Sequence, residues 1–397
     1  MQKYSLLALG FSMACGGANN GDEETQSGSI GSAETTAAEP EPTTEASASQ
    51  GDESSSGDVS DSSSEGDEGS SSTSGGESCK QADYDFALVP TAPNVMLVLD
   101  KSRSMTNEWD HDNDASSPVI SRWHSLYNVV ESLTSEFDGR INFGAQLFPS
   151  AAAYLDEPTN VFSCLVDDQP EVGVGPDTAA AILAAMPPAG DYAISGGTPA
   201  VAGVTSAVAH LMTQPAEAPR AILLITDGAA NCSPDQAAED TLFVYDDQTA
   251  VVVAQAWEEH VIPTYVVGIN ILDELGTKPA VNPYEALSAV ADAGGAAAAG
   301  SDHFYNSFNE IELIDALNVV ANQIECTITL PDAPEFPDFV DVSVDGQPWA
   351  PIDDCDTGDG WTYMAPVAPF NSVRLCGAAC EALQGGGTVE VDFGCPA

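Results

Sequence analysis

Basic residues are scarce in this chain: nine Lys and Arg stand against 62 Asp and Glu, a formal net charge of −53 over 397 residues. Sequence-independent binding to nucleic acid depends on Lys and Arg neutralising phosphates, so this balance disfavours nucleic acid and anionic lipid surfaces as partners. It suits cations or basic surfaces. Long apolar runs are missing as well, and none approaches the roughly 18 residues of a membrane span. Any hold on a membrane must then come from lipid. Enzyme signatures are equally absent, with no HExxH pattern among the five histidines, no GxSxG elbow and no GxxxxGK loop. Ser195-Gly196-Gly197-Thr198 has the look of a phosphate cradle, but no Lys follows to reach a phosphate. The chain reads as a non-enzyme.

The first 15 residues hold Lys3, an apolar run from Tyr4 to Phe11, and then Ser12-Met13-Ala14-Cys15. This short export signal resembles that of bacterial lipoproteins, in which cleavage leaves the cysteine, here Cys15, as the lipidated first residue. Removing Cys15 from nine cysteines leaves eight, an even number suited to disulfides in an oxidising compartment. The location implied is exported and lipid-anchored, at a bacterial outer membrane or cell surface. Residues 16–78 contain 15 acids, no Lys or Arg and no aromatic residue. Such a segment buries too little apolar surface to offset its ordering entropy, so it is expected to be a disordered acidic linker.

Val95 to Leu99 is five apolar residues without polar alternation, the pattern of a strand buried on both faces. It stops at Asp100, and Asp100, Ser102 and Ser104 then alternate, so one turn can aim three oxygen ligands at a point. A second apolar run, Ala221 to Thr226, ends on Asp227-Gly228. Between the two lies Ser195-Gly196-Gly197-Thr198-Pro199, glycines opening onto a helix with proline in its first turn. Strand and helix signals alternate throughout. Trp123, Leu126, Val130, Leu133 and Phe137 share one helical face; a strand is expected over 141–148, a short antiparallel one near 164–174, and helices over 176–186 and 199–212. Further on come a helix near 249–260, a strand over 262–268, a helix over 283–293, a strand over 303–305 and a helix over 310–324. Ser307 and Glu310 are spaced as a capping box for that last helix. Together these predict a doubly wound, mostly parallel six-stranded α/β sheet.

DxSxS, then Thr in a Gly-Gly-Thr-Pro loop, then Thr-Asp-Gly closing an apolar strand, resembles the von Willebrand factor A (vWA) domain with its metal-ion-dependent adhesion site. The resemblance covers roughly residues 85–325. It implies that Ser102 and Ser104 bind a divalent cation directly, that Asp100 and Asp227 bind it directly or through water, and that Thr198 joins in the ligand-bound state. Hydroxyl and carboxylate donors are hard, so Mg²⁺ is the expected ion, with Mn²⁺ or Ca²⁺ as alternatives. Arg103 stands where many relatives carry Gly, and its side chain is expected in solvent. A Cys164 to Cys232 bridge would clamp the rim of the site, and Cys79 with Cys326 would join the ends of the domain. Asp110, Asp112 and Asp114 alternate like the start of an EF-hand loop, but Ala115 and Ser121 break that pattern, leaving a solvated loop.

Five cysteines fall after residue 325, among short strand signals and an Asp345-Gly346 hairpin turn. The domains expected are therefore a signal over 1–15, a linker over 16–78, a vWA domain over 79–325 and a small disulfide-rich β domain over 326–397. The resulting reading is a lipid-anchored envelope or surface protein that binds a protein or glycoprotein partner, through the cation, by an acidic residue of that partner. The alternative is an envelope assembly subunit in which metal stabilises the fold and the C-terminal domain makes the contacts.

Overall fold

The computed structural model describes residues 85–88, 91–191, 194–300, 302–365 and 370–396. The signal segment with Cys15, the linker and Cys79 lie outside them. In chain order the first elements are strands β1 (Asp85–Leu88), β2 (Asn94–Asp100), β3 (Glu108–Trp109) and β4 (Ile120–Ser121), then helix α1 (Arg122–Glu136). Strands β5 (Asn142–Phe148) and β6 (Val172–Gly175) follow, then helices α2 (Ala179–Ala185) and α3 (Ala200–Leu211). The head continues with β7 (Arg220–Thr226), α4 (Gln248–His260), β8 (Thr264–Ile269), α5 (Pro283–Ala293), β9 (Tyr305–Ser307) and α6 (Glu310–Glu325).

Six of these strands form one sheet in the order β6-β5-β2-β7-β8-β9, parallel except for β6. β2 lies at its centre, paired with β5 from Asn94↔Asn142 to Asp100↔Phe148 and with β7 from Asn94↔Arg220 to Leu99↔Ile225. A central strand between two helical layers must be apolar on both faces, and β2 is. Val95, Leu97 and Leu99 pack with Leu126 and Val130 of α1 and Leu313 and Leu317 of α6. Met96 and Val98 face the other way, toward Val204, Val253 and Val290 of α3, α4 and α5. The chain is thus a mixed α/β fold built on a six-stranded, mostly parallel sheet.

Local signals explain the helix starts, with one shift from expectation. Ser121 caps α1 by accepting from the His124 N–H, and Asn282 caps α5 ahead of Pro283. For α6 the cap is Asn309, which accepts from the Glu312 N–H, while the Glu312 carboxylate accepts from Phe308. The Ser307 to Glu310 pairing fails because Ser307 is still the last residue of β9, hydrogen-bonded through its carbonyl to the Asn270 N–H. The expected strand near 164–174 is confined to β6.

Beyond α6 come β10 (Thr327–Thr329), β11 (Val340–Val344), β12 (Gln347–Trp349), β13 (Gly360–Tyr363), β14 (Ser372–Cys376), α7 (Ala378–Gln384) and β15 (Val389–Phe393). They form two antiparallel sheets, β1-β15-β11-β12 and β10-β14-β13, around a core that includes Val342, Trp361, Val373, Leu375 and Val391. Asp345 and Gly346 both take positive φ at the β11-β12 turn, as a two-residue hairpin requires. Strand β1 belongs here, antiparallel to β15 from Asp85↔Asp392 to Leu88↔Val389. A division of the chain at 325/326 therefore omits one strand of this sheet, because β15 takes its second neighbour from before the head. Arg374 of β14 joins the C-terminal sheets to the head, donating from Nη2 to the Tyr265 hydroxyl on β8 at 2.7 Å.

Three disulfides are described: Cys164–Cys232, Cys326–Cys380 and Cys355–Cys376. The Cys79 to Cys326 pairing expected from the sequence is overturned by the second of these. Cys326 ends α6 and leads straight into β10, whose neighbour β14 runs into α7, and α7 carries Cys380. Cys376 and Cys380 are both oxidised, each in a different bridge. Among the described residues no helix is long and apolar enough to cross a membrane.

Candidate functional site

The parallel pairing of β2 with β7 sets the ends of both strands, and the turns after them, side by side at the carboxyl edge of the sheet. In open α/β sheets that edge is where ligands bind. Asp100 closes β2 and is fully buried, and Ser102 is 1% exposed. One Asp100 oxygen, Oδ1, accepts from the Ser102 N–H at 2.7 Å, and the other, Oδ2, accepts from Thr226 Oγ1 at 2.6 Å. A chain of oxygens then crosses between the strands. Ser102 Oγ and Ser104 Oγ share a hydrogen bond at 2.8 Å, and Ser104 Oγ donates to Asp227 Oδ1 at 2.7 Å.

The glycine-rich loop approaches from β5's side. Gly196 O accepts from the Arg103 N–H at 3.1 Å, and the Gly197 N–H donates to Ser163 O at 2.8 Å. Both glycines are needed. Gly196 sits at φ +116, and a Cβ on Gly197 would lie 2.6 Å from Cys232 Sγ and 2.8 Å from Asn231 Oδ1. Thr198 follows, buried, tied to the β7 side by its N–H to Asn231 Oδ1 at 2.7 Å and by Asn231 N–H to its carbonyl at 3.0 Å. The five residues expected at one site thus divide into a linked group of Asp100, Ser102, Ser104 and Asp227, and Thr198 on an adjoining loop. Among the described residues no hydrogen bond joins the Thr198 hydroxyl to the other four. Arg103 is exposed, as expected from the sequence.

Electrostatics at the edge are tight. Burial, and after it the Asp227 carboxylate, pushes the Asp100 carboxyl up to about 7, against the bonds from Thr226 and Ser102. Two charged residues that sequence reasoning did not connect to the site lie beside it. Lys101 is only 2% exposed, and its ammonium donates to Ser195 O at 3.0 Å and Ala153 O at 3.4 Å. Burial lowers Lys101 to about 8, opposed by Asp100, Glu171 and Asp191. Arg122, the first residue of α1, places Nη1 2.7 Å from Asp227 Oδ2. One sequence signal could have drawn attention to Arg122: a cation in the first turn of a helix opposes the macrodipole and needs a local reason.

The donor set favours hard cations. Among the described residues no group of three His, Cys, Asp or Glu side chains is arranged to hold a metal, so hydroxyls would have to supply ligands here. Their spacing is near what that task needs, since neighbouring oxygens about 2.1 Å from a Mg²⁺ ion and at right angles lie about 3.0 Å apart. Elsewhere, Asp112 and Asp114 accept from Ser117 and Ser116 in the turn after β3, which satisfies those carboxylates locally.

No protein-family profile matches the chain, and no curated protein matches it. Among solved structures it is similar to the pilus adhesin SpaC from Lactobacillus rhamnosus GG, at 13% identity and a TM-score of 0.42, covering 76% of this chain and 39% of that one. It is also similar to the PilB minor pilin from Streptococcus sanguinis, at 15% identity and 0.37, covering 59% and 62%. A von Willebrand factor type A protein from Catenulispora acidiphila aligns at 14% identity and 0.38, covering 77% and 59%. The chain thus spans less than two thirds of the length of each of these proteins.

Proposed function

We propose that this chain is a non-enzymatic surface-adhesion protein of the vWA type, whose head captures a protein partner through a divalent cation held by Asp100, Ser102, Ser104, Thr198 and Asp227. The observation that carries the reading is the run of oxygens Ser102–Ser104–Asp227, at 2.8 and 2.7 Å, where two neighbouring parallel strands end. Bound there, the ion would supply a Lewis-acid position for a carboxylate of the partner. The chain's own residues do the rest. Thr226 and the Ser102 N–H fix the Asp100 carboxylate, the Asn231 amide fixes the backbone at Thr198, and the Cys164–Cys232 bridge ties the loop before β6 to the loop after β7. Mg²⁺ is the ion proposed. The reading also takes Cys15 as the lipidated anchor of an exported protein.

The test is binding of the full chain to an immobilised acidic peptide, followed by surface plasmon resonance in Mg²⁺ and in EDTA. The expected result is a Mg²⁺-dependent signal that EDTA and Ser104→Ala both abolish. Retention of the same signal in EDTA rules the mechanism out.

A further inference from the structure

The seam between the head and the C-terminal sheets holds more hydrogen-bond donors than acceptors. Strand β14 lies between β10 and β13, and its register sets Arg374 opposite Thr327 on one side and Thr362 on the other. Directly opposed residues share a face of the sheet, so a guanidinium and two hydroxyls stand in a row. A cavity of about 130 Å³ adjoins them, lined by Thr362, Arg374, Gln323 of α6 and the Gly295 to Ala297 stretch after α5. Tyr265 is the second residue of β8, which places the seam toward the amino end of the central sheet, opposite the Asp100 edge.

The polar groups here do not balance. Arg374 Nη2 donates to the Tyr265 hydroxyl at 2.7 Å, and the Tyr305 hydroxyl donates to Gln323 Oε1 at 3.2 Å. Those bonds occupy the acceptors. Among the described residues none accepts from Arg374 Nη1, from the Gln323 amide nitrogen or from the Tyr265 hydroxyl. That phenol keeps its proton, because full burial raises it against the pull of Arg374. Thr362 Oγ1 reaches Tyr363 O only at 3.5 Å.

Charge is one-sided as well. No Asp or Glu lines the cavity, although the chain carries 62 of them. Arg374 forms no ion pair among the described residues, and Glu325, two positions beyond Gln323, is held by Arg140 at 3.0 Å. Asp356 acts on Tyr305 from an exposed position. A partly buried guanidinium without a close counter-charge is destabilising. A carboxylate only accepts hydrogen bonds and carries one negative charge, so it would answer both imbalances.

We propose that this seam binds a small free carboxylate, seated on Arg374, with Gln323 and Thr362 as its further donors. One positive charge matches a monoanion better than a doubly charged phosphate, and a cavity of this size admits a molecule of a few heavy atoms. The walls come from the head and from the C-terminal sheets, so the ligand would tie the two together. The site is separate from the Asp100 edge and does not depend on the cation reading.

The chain has five arginines, so ¹⁵N-arginine labelling of the full chain gives a short set of side-chain Nε–H signals in which Arg374 is identified by its loss in Arg374→Lys. Titration with sodium acetate at constant ionic strength should move that signal saturably, with a millimolar dissociation constant. Gln323→Leu should retain the signal and weaken acetate severalfold. Acetamide, similar in shape but uncharged, should leave the signal in place, and phosphate should bind less tightly than acetate. In thermal melts, acetate at about ten times its dissociation constant should raise Tm by about 2 to 4 °C for the wild type and not for Arg374→Lys. Absence of a saturable shift, a shift that acetamide reproduces, or movement of all the arginine signals together overturns the proposal. Tighter binding of phosphate overturns the choice of a carboxylate. Should Arg374→Lys fail to fold, Gln323→Leu decides alone, because an acetate affinity it leaves unchanged places the ligand outside this seam.

Discussion

Ser104 Oγ donates to Asp227 Oδ1 at 2.7 Å although 123 positions separate the two residues in the chain. The contact exists because β2 and β7 are register-matched neighbours that end together. If that junction is part of a cation site, the fold should gain stability from the ion. At about 100 times the dissociation constant the gain is about 2.7 kcal/mol, or roughly 5 to 10 °C in Tm for a head of this size. Thermal melts of the full chain in Mg²⁺ against EDTA should show that shift for the wild type and not for Ser104→Ala.

Gly197→Ala should disturb the same site from the opposite loop. The added methyl would meet Cys232 Sγ at 2.6 Å, Leu242 Cδ2 at 2.7 Å and Asn231 Oδ1 at 2.8 Å. Relief of such crowding typically costs about 1 to 3 kcal/mol, and here it displaces the amide that fixes Thr198. Urea unfolding should record the loss, and the Mg²⁺-dependent Tm shift should shrink. Gly190→Ala, with nothing within 4 Å of the new methyl, is the control and should leave both readings unchanged.

Peptide mapping under non-reducing conditions should return Cys164 with Cys232, Cys326 with Cys380, and Cys355 with Cys376. The first bridge closes 68 residues, for which the chain-entropy treatment gives about 4 kcal/mol. A Cys164→Ser, Cys232→Ser double variant should lose up to that much stability in denaturant titrations.

Much of the head is legible in the sequence, because a strand buried on both faces has to be written as an unbroken apolar run. Val95 to Leu99 and Ala221 to Ile225 are such runs, and the Asp and Ser residues that end them announce the edge where side chains gather. What sequence could not supply are relationships carried by distance alone. The Arg122 ion pair spans 105 positions and the Arg374 to Tyr265 bond spans 109, and no local pattern links either pair. Cys326 was assigned by the expected closeness of the domain's ends, whereas its partner is set by the β10-β14 pairing. Strand β1 is only four residues long, too short to show a period, so its membership in the C-terminal sheet left no trace in composition.

Stability should fall in mild acid through His210. Its Nε2 accepts from the Val174 N–H at 3.0 Å on edge strand β6, and burial holds the ring below its ordinary 6.5. A depressed histidine favours the native state above the unfolded value and loses that contribution as pH falls from about 6.5 through the lower native value. Urea midpoints measured from pH 7.5 down to about 5.5 should therefore drop more for the wild type than for His210→Gln, whose amide can accept without titrating. Parallel pH profiles would contradict this assignment.

Tyr265→Phe should weaken the join between the head and the C-terminal sheets. Hydrogen bonds to charged groups contribute about 1.5 to 3 kcal/mol, and Arg374 Nε is itself buried without a partner, so the guanidinium has little to fall back on. A loss of that size in urea unfolding, with the Mg²⁺-dependent Tm shift unchanged, is the expected outcome.

The pairing of β1 with β15 also determines how the molecule carries tension. Pulling on the chain from its N-terminal side loads β1 first, along the axis of a strand clamped to β15 by antiparallel hydrogen bonds. The next strand in the chain is β2, the middle of the central sheet, and it ends at Asp100. Force applied between the N-terminal side and anything gripped at the Asp100 edge thus runs along a single short length of backbone, with β15 on one stretch and β5 and β7 on the other as lateral supports. The helices and the α7 region lie outside that line and are spared the strain.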